Sequence, residues 1–142
     1  MTQRLVYTDG VWDLLHPNHI NLMEEVLTHG DRLLIGVVTD QMALRYKRQP
    51  IMNQHDRMRA VRALRIVSEA VFIDGPLDDG TVIADIMKRF DPVAICYAGD
   101  TFADYYEPAI ERGIFIRLKR RSGVSTTEII ERVRERTTLI SA

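Results

Sequence analysis

The chain alternates short apolar runs with amphipathic segments along its whole length, and this alternation constrains its fold more than any other feature. Leu5-Val6-Tyr7 leads into Gly10 and reads as a first strand. Arg32 to Thr39 encloses the uninterrupted run LLIGVV, which suits a strand covered on both faces. Ala70–Asp74, Val93–Gly99 and Ile114–Lys119 add three more runs of strand length. Between them His16–His29, Gln54–Ile66, Gly80–Phe90 and Phe102–Arg112 carry apolar residues at helical spacing, the last interrupted by Pro108. Ser125–Arg136 reads as a terminal helix. Strands alternating with helices build βαβ units and a parallel sheet. Right-handed crossovers then give a doubly wound arrangement. The expectation is a Rossmann-like α/β fold, a mainly parallel five-stranded sheet with helices on both faces. No repeat, low-complexity stretch or linker interrupts residues 1–142, so one domain is expected.

Composition narrows the function classes. Hydrophobic residues make up 46% and charged residues 27%, enough apolar mass for a core and too little charge for a disordered chain. With 19 basic and 20 acidic residues the formal net charge is -1. No global field draws the chain to nucleic acid or an anionic membrane, so any anion site must be local. The single cysteine, Cys96, excludes an intrachain disulfide and a multi-cysteine zinc site, and makes a cytoplasmic location the default. No apolar run is long enough to span a bilayer, and MTQRLVYTDG lacks the features of a signal peptide.

In open α/β sheets ligands bind outside the carboxyl ends of the strands. Four loops follow strands here: Gly10–His19, Asp40–Asp56, Gly99-Asp100 and Lys119–Thr127. In the first, His16 and His19 stand three apart around Pro17, a residue suited to the first position of a helix. Both rings can converge just ahead of that helix, where free N–H groups and the macrodipole favour phosphate. A metal pair is disfavoured, since no third His or Cys stands nearby and H-E-x-x-H is absent. Spacing alone leaves a working pair and a structural accident equally open. In the last loop Ser125-Thr-Thr-Glu128 is a capping box. Preceded by Arg120 and Arg121, it is also a phosphate cradle.

Other candidates are less specific. Arg57 and Arg65 lie eight apart on the expected helix, roughly 80° around its axis, and can share a broad face. Arg45-Tyr-Lys-Arg48 follows the second strand as a polar loop, solvated or functional. Asp13 and Asp40 stand at strand ends, where turn or cap chemistry competes with a binding role. Trp12 fits packing better than ligand stacking.

Tyr7-Thr-Asp-Gly-Val-Trp-Asp-Leu-Leu-His-Pro-Asn-His19 resembles the first signature of the H-x-G-H nucleotidyltransferases, and of the cytidylyltransferases in particular. Their second signature is R-x-x-G-[IV]-S-T-[ST], and this chain has Arg120-Arg-Ser-Gly-Val-Ser-Thr-Thr127. The resemblance runs from about Leu5 to about Val133. It implies CTP, Mg²⁺ held mostly by the nucleotide, a small anionic acceptor and a homodimer. It also implies roles. His16, His19, Arg120 and Lys47 would act on the phosphates. Asp9, Gly10, Val11, Trp12, Asn18, Arg57, Gly99, Asp100, Arg121, Ser125, Thr126 and Thr127 would hold the nucleotide. Asp13, Asp40, Arg48 and Arg65 would face the acceptor. The signature glycine is Asn18 here, whose side chain either crowds the triphosphate or hydrogen-bonds to it. Two loop lysines of the glycerol-3-phosphate enzymes align with Tyr46 and Arg48, with Lys47 between, so that acceptor does not transfer.

The implied chemistry is attack by an acceptor phosphate or phosphonate on the α-phosphorus of CTP. Such an acceptor is already ionised, so in-line positioning and charge stabilisation suffice. An ATP-using adenylyltransferase and a nucleotide-binding module without turnover are the alternatives.

Overall fold

The computed structural model describes residues 3–99 and 104–141. Five strands, β1 (Leu5–Gly10), β2 (Arg32–Val38), β3 (Glu69–Ile73), β4 (Ala94–Tyr97) and β5 (Phe115–Arg117), alternate with six helices. These are α1 (Pro17–Leu27), α2 (Asp40–Tyr46), α3 (Gln54–Arg62), α4 (Thr81–Phe90), α5 (Glu107–Arg112) and α6 (Thr126–Ser141). A 3-10 turn, Asp104–Tyr106, precedes α5. The strand order is β3-β2-β1-β4-β5 and every pairing is parallel. The winding reverses between β1 and β4, which opens a crevice at their carboxyl ends.

Side chains alternate across the sheet and bury two cores. Val6, Leu33, Ile35, Val37, Ala94 and Cys96 point to one face, against Met23 and Val26 of α1 and Met58 and Val61 of α3. Tyr7, Leu34, Val38 and Ile95 point to the other, against Met42 of α2, Ile83 and Ile86 of α4 and Ala109 of α5. This is why LLIGVV shows no polar break: every one of its residues is buried. Gly36 is the exception in size. A Cβ there would collide with the Tyr7 hydroxyl and stand 2.7 Å from Asp9 Cβ, so only glycine on β2 leaves room for these side chains of the neighbouring β1.

Three expectations need correction. The segment after β2 is not a loop throughout, because α2 occupies Asp40–Tyr46. Its signal is the Thr39 hydroxyl, which accepts from the Met42 N–H at 3.4 Å and caps the helix. Further on, α3 ends at Arg62 and not at Ile66. A turn follows in which Leu64, Ile66 and Val67 pack on the core, its backbone closed by the tighter bonds Leu64 N–H to Val61 and Val67 N–H to Leu64 in place of the α-helical ladder. Pro108 falls in the first turn of α5, so the expected helix from Phe102 is a 3-10 turn and a shorter helix where it is described.

Candidate active site

The loop from β1 to α1 is tightly wound. Trp12 and Leu14 both adopt left-handed backbone, with φ of 59° and 51°. That conformation costs a non-glycine residue energy and persists only where surroundings enforce it. The surroundings here are specific: the Trp12 indole N–H donates to the Gly36 carbonyl at 2.9 Å, and both carboxylate oxygens of Asp13 accept backbone N–H groups, from Ile51 at 2.7 Å and Met52 at 2.9 Å. The loop delivers His16 to the cap position of α1, with Pro17 in the first turn.

His16 and His19 stack face to face, centroids 3.6 Å apart and planes inclined by 19°. Trp12 meets His19 edge-on at 5.4 Å. Burial lowers the pKa of His16, and burial with the neighbouring His16 takes His19 down to about 4, against an upward pull from Asp13. Two neutral rings can stack this closely where two imidazolium ions would repel. The His16 backbone N–H donates to Nδ1 of His19 at 3.3 Å. A ring nitrogen that accepts carries no proton, so neutral His19 holds its proton on Nε2. It is therefore a hydrogen-bond donor at that atom.

Two adjoining lobes open at the crevice, of about 480 and 500 Å³. Trp12, His19, Lys47, Arg120, Ser125 and Thr126 line both and form the wall between them. The first lobe continues past His16, Asn18, Gly10 and Tyr97–Gly99 to the segment 119–124 that crosses from β5 to α6. The second runs past Val11, Asp13, Arg48, Pro50 and Thr127. Lys47, Arg48, Lys119, Arg120 and Arg121 surround the two lobes, and the starts of α1 and α6 face them. A chain of net charge -1 thus concentrates positive potential at one place. The carboxylates on the lining are already engaged. Asp9 accepts from Tyr7 at 2.6 Å, Tyr105 at 2.5 Å and Tyr106 at 2.8 Å, and Asp13 is spent on the backbone. Among the described residues no group of three His, Cys, Asp or Glu is placed to hold a metal. Burial and nearby Glu25 push the Cys96 thiol up to about 12, so it supplies no nucleophile.

A family model described as cytidylyltransferase-like matches residues 7–132. The chain belongs to that family. It is 36% identical over 144 residues to an ethanolamine-phosphate cytidylyltransferase of Arabidopsis thaliana, covering 92% of this chain and 33% of that protein. It is 34% identical over 145 residues to an FAD synthase of Natrialba magadii, covering 94% of each. A lipopolysaccharide core biosynthesis protein from Thermoplasma volcanium superposes with a TM-score of 0.67 at 25% identity, covering 87% of this chain and 100% of that one. The chain spans about a third of the length of the ethanolamine- and choline-phosphate cytidylyltransferases it matches.

In this cytidylyltransferase-like chain the crevice gathers most of the residues singled out in the sequence, but not all. His16, His19, Lys47, Arg120, Gly10, Asn18, Gly99, Arg121, Ser125 and Thr126 line it. Val11, Trp12, Arg48 and Thr127 line the second lobe, where Arg48 reaches the Thr127 hydroxyl at 3.4 Å. Asn18 donates to the Arg121 carbonyl at 3.5 Å, and Arg121 pairs with Glu25 of α1 at 3.2 Å, so α1 holds the crossing segment at two points. Gly123 takes a φ of 126° beside Asn18, a conformation left to glycine.

Arg57 is a correction. It is fully buried and donates to the carbonyls of Met52, Val11 and Val38 and to Asp40, all within 2.9 Å. It ties the loop after β1 to the end of β2 and cannot also reach a nucleotide. Asp40 is its ion-pair partner and accepts from Gln54 N–H besides, so it too serves the fold. Asp13 touches the second lobe but its carboxylate is committed, and Asp9 is held by three tyrosines. Arg65 lies exposed in the turn beyond α3 and lines neither lobe. Asp100 lies outside the described residues. Tyr97 and Lys119, both on the first lobe, received no role from the sequence, although Lys119 opens the last of the four loops placed at the carboxyl rim.

Proposed function

We propose that the chain transfers CMP from CTP to a small acceptor bearing a phosphate or phosphonate, releasing pyrophosphate. The observation that carries this reading is the stacked imidazole pair on a cationic wall shared by two lobes. One lobe suits the nucleotide and the other the acceptor, with the α-phosphorus between them. The acceptor oxygen attacks that phosphorus in line as the bond to pyrophosphate breaks. His19 donates from Nε2 to an α-phosphate oxygen as charge develops, and His16 stands beside it. Lys47, Arg120 and Arg121, with the capped start of α6, offset the charge of the triphosphate. The engaged state of Asp9 and Asp13 fits a Mg²⁺ that arrives on the phosphates and not one caged by carboxylates. Bound there, it would neutralise phosphate charge. The reading includes a homodimer and a cytoplasmic location. No helix among the described residues is long and apolar enough to cross a membrane.

A specific observation favours a second reading, transfer of AMP from ATP. The chain is 34% identical to the Natrialba FAD synthase, close to its 36% identity to the Arabidopsis cytidylyltransferase. A pyrophosphate-release assay with CTP and with ATP, across polyol phosphates, amino-alcohol phosphates, alkyl phosphonates and flavin mononucleotide, separates the two. Release with CTP and a phosphate or phosphonate acceptor is expected. Release only with ATP, or tight binding without release for any acceptor, overturns the first reading.

A further inference from the structure

Thr126, the first residue of α6, sits where three segments meet. Its hydroxyl lies 3.0 Å from the Asp13 carbonyl oxygen and 3.4 Å from Nε2 of His16. A threonine hydroxyl has one proton to give and two lone pairs. A carbonyl oxygen only accepts, so the proton goes to Asp13. The same oxygen then turns a lone pair toward His16, and only a protonated Nε2 satisfies it. The neutral ring has a single N–H, which leaves Nδ1 bare. That nitrogen is buried and has no hydrogen-bond partner among the described residues. The anchor is rigid, because the Asp13 carboxylate is clamped by the Ile51 and Met52 N–H groups.

We propose that Thr126 is a positioning residue for His16, its hydroxyl held on the Asp13 carbonyl so that the ring stays the Nε2–H tautomer. His19 reaches the same tautomer by another device, the His16 backbone N–H on its Nδ1. Both stacked rings then carry their proton at Nε2: that of His19 is open to an oxygen that gains negative charge, and that of His16, held by Thr126 only at a long 3.4 Å, is shared with or passed to the same oxygen when it arrives. A bare Nε2 would present a lone pair to that oxygen and repel it. This assigns the middle hydroxyl of Ser125-Thr126-Thr127 to the histidine instead of to the triphosphate. The kinetic consequence rests on the transferase reading, whereas the tautomer is a property of the folded chain.

Long-range ¹H–¹⁵N correlation spectra of the ¹⁵N-labelled protein report the protonated nitrogen of each ring directly. The wild type is expected to show His16 as Nε2–H. Thr126→Val keeps the shape of the side chain and removes its oxygen, and should move His16 toward the Nδ1–H form. Turnover should fall about 10–100-fold, the scale seen when a group that orients a metal-bound histidine is lost, with the nucleotide KM little changed. Thr126→Ser should restore both the tautomer and turnover. An Nδ1–H ring in the wild type overturns the proposal, as does a valine variant that keeps Nε2–H. So does a valine variant with raised nucleotide KM and unaltered kcat, which would place Thr126 on the nucleotide. If Thr126→Val does not fold, the wild-type and serine spectra decide. If no acceptor is turned over, the spectra still decide, and that failure belongs to the transferase reading alone.

Discussion

His16→Ala or His19→Ala should lower turnover by ~10²–10³, the cost of losing a donor to a developing oxyanion, while CTP affinity changes less. Steady-state kinetics and equilibrium CTP binding on the same variants check the split. Arg57 makes the opposite case. With three carbonyls and one carboxylate on a guanidinium wholly out of water, its loss is a loss of fold. Arg57→Lys cannot reproduce the fork and should cost about 3 kcal/mol, the lower end for breaking a buried pair, as read by urea unfolding. The histidines were legible in the sequence because three residues and a proline place them at one helix start. Arg57 was not, because Val11, Val38 and Met52 meet at it only after the chain has folded. The engagement of Asp9 was hidden for the same reason: it lines the first lobe, but two of its partners, Tyr105 and Tyr106, come from the segment after β4.

Elements divide along similar lines. The strands were visible because burial on both faces leaves no polar residue in LLIGVV and its counterparts. Helices α1 and α4 were visible because one face of each is apolar at helical spacing. Helix α2 escaped because seven residues are too few to show a period, and its cap, Thr39, reads equally well as the end of a strand. The terminal helix joins local and functional roles. Ser125 accepts from the Glu128 N–H at 3.1 Å and so caps α6. Ser125→Ala should cost about 1 kcal/mol of stability, measured by thermal or urea unfolding. Because this cap also shapes the wall between the two lobes, nucleotide KM should rise alongside.

For the molecule as a whole, acid is the informative variable. Burial and the neighbouring His16 hold the folded His19 pKa at about 4, against 6.5 for an ordinary imidazole. Between those values the unfolded chain binds the additional proton, so stability rises with pH across this window and is lost on acidification. Wild-type protein should therefore lose more stability between pH 7 and pH 5 than His19→Gln does. Urea midpoints of both proteins at both pH values check it, and equal losses would contradict the buried neutral ring.

A sheet whose strands all run one way has two unlike ends. Crevice residues cluster at the end where strands finish; at the other end, the turns that lead into β2, β3, β4 and β5 contribute nothing to either lobe. The scaffold and the chemistry are thus addressed by separate stretches of sequence. Changes to the rim loops can therefore alter what is bound without touching the turns opposite, which makes that far end the place to graft a reporter away from the chemistry.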